Sequence, residues 1–159
     1  DHAERMDREA RLIAAAELSA EAAHGTFFAP RAYELKNLGQ LQKEIFGPVL
    51  HVIRWKGEQL DAVIEQINAT GYGLTLGVHS RIDETVDRIT NGIQVGNVYV
   101  NRNQIGAVVG VQPFGGQGLS GTGPKAGGPH YLLRFATEKT VTVNTTAAGG
   151  NASLLTLGD

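Results

Sequence analysis

Residues 101–131 read NRNQIGAVVGVQPFGGQGLSGTGPKAGGPHY, with Gly106, Gly110, Gly115, Gly116, Gly118, Gly121, Gly123, Gly127 and Gly128 in one run. Glycine has the most backbone freedom to lose, so ordering so many is costly. Such a run is either a flexible linker or a loop whose backbone must come close to something. Linkers favour Ser and small polar residues. This run instead holds Ile105, Val108, Val109, Val111 and Phe114, and Pro113, Pro124 and Pro129 stiffen it. The sequence therefore predicts an ordered loop that presents backbone N–H groups to a ligand.

The rest of the chain is long enough to support such a loop. Its 159 residues suffice for one domain with a real core. A hydrophobic content of 42% against 19% charged residues excludes an intrinsically disordered chain. The net charge of -2 gives no field that favours nucleic acid or an anionic membrane. Cysteine is absent, which removes disulfides, thiolate metal sites and a cysteine nucleophile from this chain and fits a cytoplasmic protein. No apolar run is long enough to span a membrane, and no secretory signal precedes Asp1-His2-Ala3. The Asn-X-Ser/Thr matches at Asn68, Asn144 and Asn151 are accordingly read as chance. A start without Met predicts a segment of a longer protein.

Along the chain, Ala, Glu and Arg dominate residues 1–23, and Met6, Ala10, Ile13 and Ala14 fall at helical spacing, which predicts a helix over residues 2–16. Residues 25–29 and 31–35 read as a strand interrupted at Pro30, placed at an edge or bent there because proline lacks the ladder donor. Residues 49–55 are rich in β-branched and aromatic side chains and predict a buried strand. Leu60, Val63, Ile64 and Ile67 mark one face of a helix over residues 58–68, with Gly71 just past its end. A strand over 74–80, a helix opening near Asp83 and stopped by Asn91-Gly92, and a strand over 94–100 follow. Helices of this length between strands suit crossovers in a parallel sheet, so the predicted fold class is α/β with a mostly parallel sheet. Beyond the glycine run, residues 129–135 predict a short helix and residues 137–144 a strand free to pair with another subunit. The tail carries Leu154, Leu155 and Leu157, an apolar tip suited to docking.

Few residues are placed to carry chemistry. Gly116-Gln117-Gly118-Leu119-Ser120-Gly121 matches G-x-G-x-x-G, but Pro113 precedes it and Gly123-Pro124 follows, where a dinucleotide fingerprint needs a strand and an opening helix. The Rossmann reading fails on that ground. None of His2, His24, His51, His79 and His130 pairs at metal-ligand spacing, and His51 and His79 read as hydrogen-bonded structural residues in strands. No serine sits in a G-x-S-x-G elbow, so no catalytic residue and no metal ligand is assigned. Two constellations remain. In Lys43-Glu44-Ile45-Phe46-Gly47-Pro48, a carboxylate just before a strand suits the hydroxyls of a ribose and the ring suits a flat nicotinamide; spacing alone favours the other reading, an exposed acid and a core Phe before a turn. Around Gly106-Ala107, successive N–H groups suit a carboxylate, with Phe114 as an apolar wall; a glycine turn beside a buried Phe is the other reading.

Glu44-Ile45-Phe46-Gly47-Pro48 together with Pro113-Phe114-Gly115-Gly116 resembles the C-terminal half of an aldehyde dehydrogenase catalytic domain. Residues 67–79, 96–103 and 115–131 are further similar to the L-glutamate γ-semialdehyde dehydrogenase family, in the form it takes as a module of bacterial bifunctional proline-catabolic enzymes. The resemblance runs through nearly the whole chain. It implies that residues 1–136 are part of a catalytic domain and 137–159 an oligomerisation strand with its tail. It implies NAD as cofactor, with Glu44 on the nicotinamide ribose and Phe46 beside the nicotinamide. It implies that Gly106 and Ala107 anchor the α-carboxylate of L-glutamate γ-semialdehyde while Phe114 lines the aldehyde pocket. It also implies an FAD confined to the parent's other module, a homo-oligomer, and contact with the remainder of the parent polypeptide. The family's catalytic Cys lies upstream of Glu44 and this chain has none, so the chain alone is expected to be inactive. A non-catalytic assembly module, and a binder of small acids through Gly106-Ala107, are the rival expectations.

Overall fold

The structure is a computed structural model and describes residues 1–105, 107–108, 110–145 and 147. Gly106 and the leucine-bearing tail therefore lie outside the described residues.

The first half of the chain packs a helix on a small sheet. Helix α1 spans His2–Glu9, and strands β1 (Arg11–Ala15), β2 (Arg31–Leu35) and β3 (Val49–Ile53) form a sheet in the order β1-β2-β3. β2 runs parallel to β3, from Arg31 opposite Val49 to Leu35 opposite Ile53. β1 runs antiparallel to β2, with an irregularity between Leu12 and Ala14. Alternation along β2 puts Tyr33 and Leu35 on one face, where they meet Met6 of α1. Met6 and Tyr33 are both 0% exposed, and Ala10, Leu41, Val49 and Ile53 pack around them. No residue of β3 is fully buried and Leu50 is 61% exposed, so β3 is not the buried strand its composition predicts.

Two expectations for this half need correction. The predicted helix over residues 2–16 ends at Glu9: Ala10 turns extended, and Arg11–Ala15 pairs with β2 instead. The local preference for helix in Arg11-Leu12-Ile13-Ala14 is a few tenths of a kcal/mol per residue, which ladder pairing outweighs. The strand after Pro30 is central, not an edge. It begins at Arg31, so the missing proline donor falls outside the ladder, and the Pro30 carbonyl accepts a bond from Ala16 N–H (2.8 Å). Residues 25–29 form no strand.

The second half follows the predicted alternation more closely. Helix α2 (Leu60–Ala69) buries Ile64, and Gly71 takes a φ of 74° just beyond its end, the left-handed position that favours glycine at a helix stop. Strand β4 is the short Tyr72–Gly73, and β5 spans Thr75–Val78. Helix α3 (Asp83–Gly92) opens on Asp83 and Glu84 in its first turn, where carboxylates complement the helix dipole. Strand β6 (Asn97–Val100) then pairs with β5 in parallel, so α3 is a true crossover helix. Asn68 ties the end of α2 to the end of α3: its amide donates to the Gly92 carbonyl (2.8 Å) and its oxygen accepts from Gln94 N–H (2.9 Å).

The α/β character stands, but not as one mostly parallel sheet. β5 and β6 form their own pair, and β4 pairs antiparallel with β7 (Gln117–Gly118) from the glycine run. The helix α2 thus does not return the chain to the sheet it left. The predicted helix over 129–135 is a single 3₁₀ turn at Leu132–Phe135. Residues 137–144 form no ladder among the described residues, and Val141 and Val143 are exposed.

Candidate functional site

The glycine run is held together by contacts that only glycine permits. A Cβ added to Gly116 would overlap Ser120, and one added to Gly121 would overlap the Gly116 carbonyl. The segment 116–121 therefore folds back on itself. Gly118 adopts a φ of 59° and lies against the Gly71 carbonyl, which accepts a bond from Leu119 N–H (2.8 Å). Ser120 Oγ accepts a bond from Gly73 N–H (3.1 Å). These glycines serve close backbone packing within the chain, and no helix opens among them. This is the physical reason the G-x-G-x-x-G match is not a phosphate cradle.

Phe114 is fixed at the start of the same run. Its N–H and C=O exchange bonds with Ala126 (3.0 and 2.9 Å). Asn97, at the start of β6, donates to the Pro113 carbonyl (3.0 Å) and accepts from Gly115 N–H (3.3 Å). Lys125 Nζ donates to Asn97 Oδ1 (3.3 Å) and to the Gly96 carbonyl. Phe114 itself is half-buried. Asn97 and Lys125 are not among the sequence candidates. The local sign of Asn97 is that a polar residue opens the strand Asn97-Val98-Tyr99-Val100, and nothing local marks Lys125.

In the loop before Phe114, Ile105, Val108 and Val111 are exposed and Ala107 is half-buried. The loop is braced by Gln112, whose N–H donates to the Val108 carbonyl (2.9 Å) and whose Oε1 accepts from Val108 N–H (3.2 Å).

Glu44 lines a cleft of about 790 Å³, which the connector residues Leu38 and Leu41 share with Ile67, Thr70, Tyr72 and Leu76. Ser120 reaches this cleft from the glycine run. Phe46 lies outside it and is 93% exposed, so the alternative of a core Phe is not what the chain adopts. Ala107 and Phe114 do not line the cleft of Glu44. Pro113 instead borders a second cleft, of about 490 Å³, with Asn97, Tyr99, Arg102, Val111 and Lys125. The glycine run thus touches both clefts, while the two groups of predicted site residues stand apart.

Away from these clefts, His2 and His51 face each other with their Nε2 atoms 2.9 Å apart. Burial, then positive neighbours, holds both rings below the ordinary histidine range. His51 is thus the hydrogen-bonded structural histidine its strand position predicts. His79 is not, because β5 ends at Val78 and His79 is exposed. Among the described residues no group of three or more His, Cys, Asp or Glu could hold a metal, and no helix is long and apolar enough to cross a membrane.

Residues 2–141 match the aldehyde dehydrogenase family. The bifunctional protein PutA of Klebsiella aerogenes is 64% identical over 116 residues, covering 73% of this chain and 9% of that protein. The chain thus spans about a tenth of the length of that relative. A mutant proline utilization A of Bradyrhizobium japonicum superposes with a TM-score of 0.84 at 62% identity, over 92% of this chain and 15% of that one. A 1-pyrroline-5-carboxylate dehydrogenase from Thermus with bound NAD superposes with a TM-score of 0.73 at 42% identity, over 84% of this chain and 26% of that one.

Proposed function

Because the chain belongs to the aldehyde dehydrogenase family, we propose that it supplies part of the site at which a longer, NAD-dependent enzyme oxidises L-glutamate γ-semialdehyde to L-glutamate. The semialdehyde is the ring-opened, hydrated equivalent of 1-pyrroline-5-carboxylate, the compound named for the Thermus neighbour. The observation that carries the proposal is that the family match covers residues 2–141 and so holds Glu44, Phe46, Ala107 and Phe114 together.

The residues present fit NAD. The cleft beside Glu44 is within the usual range of ligand sites, about 300–1,000 Å³, and the exposed Phe46 ring is free to lie against a flat heterocycle. Glu44 would accept hydrogen bonds from the hydroxyls of the nicotinamide ribose, and Phe46 would pack beside the nicotinamide. When bound, NAD supplies the hydride acceptor that oxidation of an aldehyde requires. At the other end, the N–H groups of Gly106 and Ala107 would hold the substrate α-carboxylate, and Phe114 would exclude water from the aldehyde carbon. The chain has no cysteine, so a thiolate nucleophile has to come from another part of the parent. Flavin-dependent proline oxidation belongs, in this reading, to the parent's other module.

The test is the dependence of turnover on the α-carboxylate. The longer protein is assayed with L-glutamate γ-semialdehyde and with 4-aminobutanal, which lacks the carboxylate. We expect kcat/KM to fall by at least about 100-fold for the second aldehyde, because the donors built for the carboxylate are left unpaired. Equal kcat/KM values would overturn the assignment.

A further inference from the structure

Phe114 is the side chain that the proposed function makes a wall of the aldehyde pocket, and it stands between two residues gripped by a single neighbour. Asn97 Nδ2 donates to the carbonyl of Pro113 (3.0 Å), and Asn97 Oδ1 accepts from the N–H of Gly115 (3.3 Å). One side-chain amide therefore closes a bracket around Phe114, using both of its ends. The orientation of that amide is fixed by its surroundings. The Lys125 ammonium, 3.3 Å away, can only donate, as can Gly115 N–H, so both face the oxygen. The Pro113 carbonyl can only accept and faces the nitrogen. Asn97 is half-buried at the start of β6, where its backbone is set by the parallel register opposite Thr75. The far side of Phe114 is held by its paired bonds to Ala126, next to Lys125. The backbone of Phe114 is thus pinned to β6 on one side and to the returning chain on the other, and the ring follows the backbone.

Resting on the reading of Phe114 as a pocket wall, we propose that Asn97 is a positioning residue. Its bracket around residues 113–115 sets where the Phe114 ring stands, and so which aldehydes the site accepts. Both bonds need a donor and an acceptor on one side chain at this reach. Aspartate keeps the acceptor for Gly115 and Lys125 but turns a carboxylate oxygen towards the Pro113 carbonyl, and alanine loses the bracket altogether.

A double-mutant cycle in the longer protein tests this, with Asn97→Ala, Asn97→Asp, Phe114→Ala and the Asn97→Ala/Phe114→Ala pair. KM and kcat are measured for L-glutamate γ-semialdehyde and for NAD. For Asn97→Ala we expect KM for the aldehyde to rise about 10-fold or more, with KM for NAD within about 2-fold of the parent value, since a displaced pocket wall degrades one substrate only. Asn97→Asp, which keeps two of the three bonds and guards against loss of folding, falls between. In the Phe114→Ala background, Asn97→Ala produces no further change, because the group it acts through is gone. Additive effects, or equal losses for aldehyde and NAD, would overturn the positioning role while leaving the parent activity in place. If the parent oxidises other aldehydes but not the semialdehyde, the proposed substrate falls, and the same cycle run on an accepted aldehyde still decides the role of Asn97. If it oxidises no aldehyde, both fall.

Discussion

His2 and His51 join helix α1 to strand β3 through one hydrogen bond between two imidazoles, and that bond survives only while at least one ring is neutral. For His2, burial lowers the affinity for a proton most, followed by Arg5, the chain's amino terminus and Lys43; for His51, burial comes first, then His2 and Arg5. Every charge facing the pair is positive. Both folded-state values lie below the unfolded value of 6.5, so the unfolded chain binds more protons as the pH falls past that point. The stability the neutral pair contributes is present above pH 6.5 and is lost as the pH drops through the lower folded values. We expect the urea midpoint to fall between pH 7.5 and pH 5.5, and His51→Gln to flatten that dependence; a midpoint that rises on acidification would contradict it. The sequence marks His51 as a hydrogen-bonded strand residue, but nothing local points to a partner 49 positions away. Glu44 and Phe46 are a comparable case. Their residue types permit a ribose and a nicotinamide, but spacing alone favours an exposed acid and a core Phe before a turn.

Among the elements, α2, α3, β5 and β6 are legible because their own residues carry the period: Leu60, Val63, Ile64 and Ile67 need only each other to define a helical face. β1 is illegible for the opposite reason, since its residues prefer helix and become a strand only by pairing with β2. The two-residue strands β4 and β7 are set by the packing of glycines far apart in sequence, which no period records. The approach of Gly96 to Gly115 is the tightest point of that packing. A Cβ on Gly96 would overlap the Gly115 carbonyl and crowd Gly116, and backbone cannot rotate away as a side chain can. Gly96→Ala should therefore cost about 1–3 kcal/mol or more in stability, read as a lowered denaturation midpoint at unchanged slope. An unchanged midpoint would mean that the glycine run is not packed against β6.

At the scale of the whole molecule, the buried core is small for a chain of this length. Only Met6, Tyr33, Leu35, Ile64, Val78, Ile93 and Tyr99 are buried apolar side chains among the described residues, while Phe46, Ile105, Leu132 and Phe135 stand in solvent. Exposed apolar surface on this scale marks contact with other protein. It fits a chain that spans about a tenth of a bifunctional relative, in which Glu44 lines one cleft and Pro113, next to Phe114, borders another. The α/β character was readable because the periods of α2, α3, β5 and β6 are local, whereas the division into three small sheets among the described residues was not. The separation of Glu44 from Ala107 and Phe114 was not readable either, because it depends on packing between residues far apart in sequence. The most direct measurement is NADH formation from L-glutamate γ-semialdehyde and NAD, made side by side with the 159-residue chain and with the longer protein proposed to contain it. We expect turnover from the longer protein and none from the short chain, which lacks a thiol. Turnover by the short chain freed of contaminants, or none by the longer protein, would contradict the division of one active site proposed for these residues.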